Sequence, residues 1–233
     1  MLTLKNLTAD LMGETIIEDF NFTISRGEVA CLYGSSGCGK TTILRLVAGI
    51  IDEESGTIDN QFSRTTYLFQ EHRLLPWRTA WENIALVCKD GQNTDRQTQL
   101  ADLLTQLALD KDDWHKYPHE LSGGMRQRVA LGRALITEPD LLLMDEPFSA
   151  LDFELKQNLQ NLILDRVHQH KMSIILVTHD RYEALRLADK IYILADKKPT
   201  QCQRVIDLDT PHQQRNALFI ETHLQPNFWQ INE

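Results

Sequence analysis

The sequence predicts a three-layer α/β fold with a parallel sheet at its centre, an antiparallel β subdomain at its N-terminal end and a helical subdomain inserted in the middle. Three observations carry this expectation. A short apolar run, Val29 to Tyr33, leads through a glycine-rich loop into a helix-compatible segment, Thr42 to Ala48. The apolar runs Leu141 to Met144, Ser173 to Val177 and Lys190 to Leu194 read as buried parallel strands, with helical patterns between them. From Gln70 to about Pro139, helical spacing replaces strand signals altogether.

In chain order, Leu2, Leu4 and Leu7 alternate with polar residues, and Phe20, Phe22 and Ile24 alternate again, which makes two half-buried strands. The Ser25-Arg26-Gly27-Glu28 turn opens the strand at Val29. A further strand pair is expected at Gly56 to Asp59 and Thr65 to Phe69. Leu100, Leu103, Leu104 and Leu107 then recur at helical spacing, and a second helix follows Ser122 and runs to about Ile136. After the strand at Leu141, the positions Leu155, Leu159, Leu162, Ile163 and Val167 form a helical stripe. The tail is expected to hold a short strand, Arg204 to Leu208, and a final helix. Residues 1–233 thus read as one domain, with residues 1–69 and 140–233 as core plus β subdomain and residues 70–139 as the helical subdomain.

A chain of 233 residues holds one well-cored domain, and an apolar content of 42% is ordinary. No apolar stretch approaches the ~18 residues that suggest a membrane span, and Met1 to Leu11 lacks the form of a signal peptide, so a cytosolic or peripherally attached protein is expected. Cys31, Cys38, Cys88 and Cys202 have neither metal-site spacing nor scaffold density and read as reduced thiols. A net charge of −9 with dispersed Lys and Arg argues against nucleic acid as a partner.

The loop after Tyr33 reads Gly34-Ser35-Ser36-Gly37-Cys38-Gly39-Lys40-Thr41-Thr42, which fits the phosphate-loop pattern G-x-x-x-x-G-K-[ST] in its strand-to-helix setting. Small residues let backbone N–H groups curl around a β-phosphate, the helix N-terminus adds its dipole, Lys40 reaches the outer phosphates and the Thr41 hydroxyl ligates Mg²⁺. A nucleoside triphosphate is the implied ligand. The strand at Leu141 ends in Asp145-Glu146-Pro147. Asp145 suits the outer shell of the phosphate-bound Mg²⁺, and Glu146 suits the task of orienting and deprotonating a water that attacks the γ-phosphate. Leu121-Ser122-Gly123-Gly124-Met125-Arg126-Gln127-Arg128 opens another helix, with Ser122 placed to cap it, two glycines that admit an anion close to the backbone, and a Gln and Arg at fixed offsets that a mere cap does not require. The chain therefore carries two helix N-termini suited to phosphate.

The order of these motifs resembles the ATP-binding subunit of an ATP-binding cassette (ABC) transporter over nearly the whole chain. The phosphate loop is followed by Gln70 closing an apolar strand, the Leu-Ser-Gly-Gly signature, Asp145-Glu146, Ser149-Ala150-Leu151-Asp152, and His179 after the strand at Ile174. The resemblance implies a phosphate-loop NTPase fold that hydrolyses ATP with Mg²⁺. It implies a homodimer on ATP binding, in which residues 121–125 of one copy face the nucleotide held by the other. Gln70 would sense the metal and the attacking water, Asp152 would link the two sites, and His179 would hold the γ-phosphate and water against Glu146.

Two positions stand apart. In the family an aromatic residue usually stacks on adenine, and the corresponding position here is Leu11, which implies weaker discrimination between ATP and GTP. Cys38 lies in the loop at a helix N-terminus that favours the thiolate, so its alkylation is expected to abolish hydrolysis, with MgATP protecting; the other reading is a small residue merely tolerated in the loop, which would make modification slow.

After Gln70 the chain reads Glu71-His72-Arg73-Leu74-Leu75-Pro76-Trp77. Proline forces an extended turn and the Trp beside it is an anchor type enriched at interfaces. By resemblance Leu74, Leu75, Pro76 and Trp77 would contact an integral membrane permease. The wording is similar to the nitrate, sulfonate and taurine importer branch, which implies permease subunits, a periplasmic or surface solute-binding protein, a small anionic or vitamin-precursor solute, and a place on the cytoplasmic face of the cell membrane. The alternative is the ATPase of a non-importing mechanical or lipoprotein-release complex.

Overall fold

Parallel strands buried on both faces need no alternation, and the strands that form the centre of this protein show none. A computed structural model describes residues 1–88 and 94–229. Its larger sheet has the order β5-β6-β7-β3-β8-β9. The strands β3 (Val29–Tyr33), β5 (Thr65–Leu68), β6 (Leu141–Asp145), β7 (Ser173–Thr178) and β8 (Lys190–Leu194) are parallel, and β9 (Cys202–Asp207) pairs antiparallel at the edge. Every residue of β6 and β7 is buried, as expected of strands covered by helices on both sides.

The pleat divides this sheet between two cores. Val29, Cys31, Leu142, Met144, Ile174 and Leu176 join one, which continues into the helices α2 (Ala80–Ala85), α3 (Thr94–Gln106), α4 (Gly123–Leu135), α5 (Phe153–His170) and α6 (Arg181–Leu187). Ala30, Leu32, Leu141, Leu143, Ile175 and Val177 join the other, with α1 (Lys40–Val47) and a smaller sheet. In that second sheet β1 (Leu2–Leu11) lies between β2 (Glu14–Ile24) and β4 (Ser55–Asn60), all antiparallel. Its inward residues, among them Leu2, Leu4, Phe20 and Ile24, are fully buried. Three layers and an antiparallel N-terminal sheet agree with the fold class read from the sequence. The stretch between β5 and β6 holds helices and no strand among the described residues. We propose that residues 70–139 form a subdomain of their own within the single domain.

One pairing differs from expectation. The segments at Gly56 and Thr65 are strands, but they do not pair with each other: β4 pairs with β1, and β5 pairs in parallel with β6. The cause lies at residue 140. The Asp140 carboxylate accepts the Arg64 N–H at 3.1 Å, and the Arg64 carbonyl accepts the N–H of Asp140 at 2.9 Å and of Leu141 at 3.1 Å. That double link holds β5 on the large sheet, and Phe69 falls just beyond its end. The tail likewise ends in two short helices, α7 (Ala217–His223) and α8 (Pro226–Trp229), rather than one.

Candidate nucleotide site

β3 lies between β7 and β8, so the loop leaving Tyr33 emerges at the carboxyl end of the sheet. Ligands of open α/β sheets bind at that end. Gly37 and Gly39 take φ values of +82° and +97°, which bend the chain back over the start of α1. A Cβ on Gly39 would also stand 2.7 Å from Thr200 Oγ1, so only glycine fits there. The first turn of α1 holds no acidic residue, which leaves its positive end free for an anion. Lys40 is 5% exposed, and its ammonium donates to the carbonyls of Gly34 at 2.8 Å and Ser35 at 2.6 Å. These bonds fold its charge against the loop that would receive the phosphates.

Thr41 and Asp145 meet directly. The Thr41 hydroxyl donates to Asp145 Oδ1 at 3.1 Å, and the Tyr67 hydroxyl donates to Oδ2 at 3.2 Å. Burial pushes the Asp145 carboxyl above its ordinary range, and the bonds from Thr41 and Tyr67 oppose that shift. Next in the chain, Glu146 adopts a left-handed backbone, φ +49°. Its N–H donates to the Val177 carbonyl at 3.0 Å, which turns its side chain away from Asp145 and toward two other residues. Gln70 Nε2 donates to Glu146 Oε2 at 3.4 Å, and His179 Nδ1 stands 3.1 Å from Oε1. Gln70 follows β5, Glu146 follows β6 and His179 follows β7, so adjacent strand ends bring together residues far apart in sequence. A hydroxyl, a carboxylate and an amide, all hard oxygen donors, lie around the start of α1. That set fits Mg²⁺, with Thr41, Asp145 and Gln70 to hold it.

A cleft along the loop is lined by Ser36, Gly37, Lys40, Thr41, Gln70 and Glu146, and Leu11 lies on its rim. Leu11 is 40% exposed and is joined there by Ile16 and Lys198. Thr200, whose hydroxyl donates to the Cys38 carbonyl, buttresses the loop from behind. Neither Lys198 nor Thr200 carried any sequence signal, because both reach the loop from beyond β8.

At Cys38 the fold favours the reading of a small, tolerated residue over that of a reactive thiolate. Its side chain is 2% exposed, and burial pushes the thiol above its ordinary pKa despite the opposing charge of Lys40. The helix begins only at Lys40, so the dipole that would favour a thiolate is outweighed by desolvation. The expected result is slow alkylation: at pH 7.5 the folded protein should lose Cys38 thiol at least about tenfold more slowly than a denatured sample, followed by peptide mass spectrometry. Equal rates in the two samples would refute the burial account.

Residues 121–125 do not line the cleft among the described residues. Ser122 caps α4 as expected, its Oγ accepting the Met125 N–H at 3.2 Å. Gly124 packs against the 149–152 segment, where an added Cβ would stand 3.2 Å from the Ala150 carbonyl. Asp152 caps α5 through a bond from the Leu155 N–H at 3.0 Å. In the loop after Gln70, Leu74 packs toward the core while Trp77 is 67% exposed. Asn83, which the sequence did not mark, fastens that loop: its Oδ1 accepts the Leu75 N–H at 2.8 Å, and its amide donates to the carbonyls of Leu75, Arg78 and Thr79. Arg133 fastens the loop's start, donating to the carbonyls of Arg73 at 2.8 Å and His72 at 2.9 Å.

Comparison with known proteins agrees with this geometry. Residues 17–149 match the family model described as ABC transporter. The chain is 37% identical to the aliphatic sulfonates import ATP-binding protein SsuB 1 of Pseudomonas savastanoi pv. phaseolicola (strain 1448A / Race 6), over 96% of this chain and 94% of that one. It is 39% identical to the Fe(3+) ions import ATP-binding protein FbpC 2 of Haemophilus influenzae (strain ATCC 51907 / DSM 11121 / KW20 / Rd), over 97% of this chain and 65% of that one. Among solved structures, the dimeric post-hydrolysis state of the ATP-binding cassette MJ0796 bound to ADP and Pi superposes with a TM-score of 0.81 at 26% identity, covering 91% of this chain and 100% of that chain. Motif order, site geometry and similarity along almost the full length agree, and the chain belongs to the ABC transporter family as one of its ATP-hydrolysing cassettes.

Proposed function

We propose that this chain is the ATPase subunit of a membrane importer for a small solute, working as a homodimer bound to permease subunits at the cytoplasmic face of the cell membrane. The observation that carries this reading is the approach of Gln70 and His179 to the Glu146 carboxylate beside the Thr41–Asp145 pair. Such an arrangement serves hydrolysis rather than mere nucleotide binding. The import proteins it resembles favour uptake over a mechanical or lipoprotein-release role. They handle cargoes as different as sulfonates and iron at similar identity, so cargo choice belongs to the permease and solute-binding protein. A small anion or vitamin precursor remains the proposed class of solute.

In this reading the backbone N–H groups of residues 37–41 and the Lys40 ammonium hold the β- and γ-phosphates. Glu146 accepts a proton from the attacking water as its oxygen bonds to the γ-phosphorus, and the bond to the bridging oxygen breaks to leave ADP and phosphate. His179 and Gln70 hold the carboxylate and the water in line. When bound at Thr41, Asp145 and Gln70, Mg²⁺ would neutralise charge on the phosphate oxygens. Little covalent help is needed, because positioning and charge stabilisation supply most of the acceleration. Two copies close on two ATP molecules, and hydrolysis reopens them. Trp77 and the loop held by Asn83 carry that motion to the permease.

Co-expression with the membrane subunits encoded by neighbouring genes tests the proposal. The expected result is a detergent-stable complex that accumulates solute in liposomes only with MgATP inside the compartment facing the cassettes. A complex that hydrolyses ATP yet binds only a large-ectodomain membrane protein and moves no solute would overturn import.

A further inference from the structure

We infer that Gln127 is a positioning residue for Glu146, through which the helix that serves one nucleotide sets the carboxylate that takes the proton from the water attacking the other. The inference rests on the role proposed above for Glu146 and on the family resemblance, by which residues 121–125 at the start of α4 face the nucleotide of a second copy. Gln127 lies in the second turn of α4 and is 6% exposed. Its side-chain amide donates to the Glu146 carbonyl at 3.3 Å and to the Pro147 carbonyl. Those two carbonyls lie immediately after the sharpest feature of the site, since Glu146 is held at φ +49°, a conformation that non-glycine residues keep only when their surroundings impose it. Pro147 has no N–H to contribute to the turn. Apart from the Glu146 N–H bond to Val177, the turn is held by the Ser149 hydroxyl and by Gln127. A buried amide is unfavourable without partners, and here Oε1 has none among the described residues. Packing alone would favour an apolar side chain at this position; the donor contacts are what the glutamine supplies.

The placement gives the contact its meaning. The N-terminus of α4 carries Ser122 to Gly124, the stretch proposed to reach a second copy's nucleotide. Five residues after Ser122 the same helix grips the Glu146 turn, and at its far end Arg133 grips the chain just after Gln70. A shift or rotation of α4 on docking to the other copy therefore moves backbone on both sides of the Glu146 carboxylate. One rigid helix joins the two nucleotide sites within each chain.

The test uses Gln127→Met, which keeps length and packing and removes the donor, and Gln127→Glu, which keeps length and places an acceptor against two carbonyls. ATP turnover by purified Q127M should fall about ten- to a hundredfold in kcat with KM for ATP changed less than about twofold, since small displacements of a catalytic group cost that much. Q127E should fall at least as far, and it stands in if Q127M does not fold. The decisive arm is combination with Glu146→Gln. If Gln127 acts through Glu146, E146Q/Q127M should show the same residual phosphate release as E146Q within about twofold, and should still dimerise with ATP. An unchanged kcat in Q127M, a further proportional loss on top of E146Q, or loss of the ATP dimer would overturn the inference, the last two by showing a purely structural role. Normal turnover by E146Q would remove the proposed role of Glu146 and this inference together; E146Q silent with Q127M fully active removes the inference alone.

Discussion

Replacing Glu146 by Gln should leave a protein that binds ATP and scarcely turns it over. Gln keeps the shape of the carboxylate and retains one oxygen to face His179, 3.1 Å away, or Gln70, 3.4 Å away. It cannot take a proton from water. General-base assistance is worth about 10²–10⁴ in rate, and kcat should fall by that amount. Binding should hold or tighten, because the change removes a negative charge from a cleft built for a polyanion, and Lys40, Thr41 and the N-terminus of α1 are untouched. With hydrolysis blocked and binding intact, the closed state has no exit. Light scattering after gel filtration with MgATP should show the 26.9 kDa chain shift toward twice that mass, while ADP leaves it monomeric. Turnover near that of the unaltered chain would remove Glu146 from the role of base.

Most of the core was legible because buried parallel strands are spelled as continuous apolar runs, and β6, β7 and β8 appear within a residue of where those runs lie. The partnership of β4 and β5 was not legible, since it is decided by the Arg64–Asp140 link across 76 positions rather than by either strand's own pattern. The same division runs through the site. Gln70, Glu146 and His179 stand out because each ends a recognisable strand, and they come within 3.4 Å of one another's polar atoms pairwise through Glu146. Tyr67 and Thr200 support them yet read as ordinary residues of a strand and a loop, and Gln127 stands out only as part of the motif that opens its helix, with nothing to tie it to Glu146. Cys38 shows the limit of local chemistry: the sequence places a thiol next to a helix start and a lysine, and only the fold shows that burial outweighs both.

A charge placed at Ser122 should abolish hydrolysis without touching the chain's own nucleotide cleft. Ser122 is exposed at the start of α4, whose first turn has no acidic residue, and it lies outside the cleft that Lys40 and Glu146 line. Ser122→Glu would put a carboxylate where a second copy's γ-phosphate is proposed to dock, at a helix end otherwise favourable to anions. Loss of the cap costs about 1 kcal/mol, too little to unfold the domain. The S122E monomer should therefore bind ATP as the unaltered chain does, while turnover falls at least about a hundredfold, in line with removing a preorganised oxyanion contact. Lys40→Ala should be silent for the opposite reason, lacking the cation in its own loop. Mixed in equal amounts, half of the dimers pair one of each, and in those a single site joins the intact Lys40 of the S122E chain to the intact Ser122 of the K40A chain. In a two-fold dimer with independent sites, about a quarter of the original activity should return. Binding weakened in S122E alone, or a mixture no more active than its parts although mixed dimers form, would mean that each chain completes its own site.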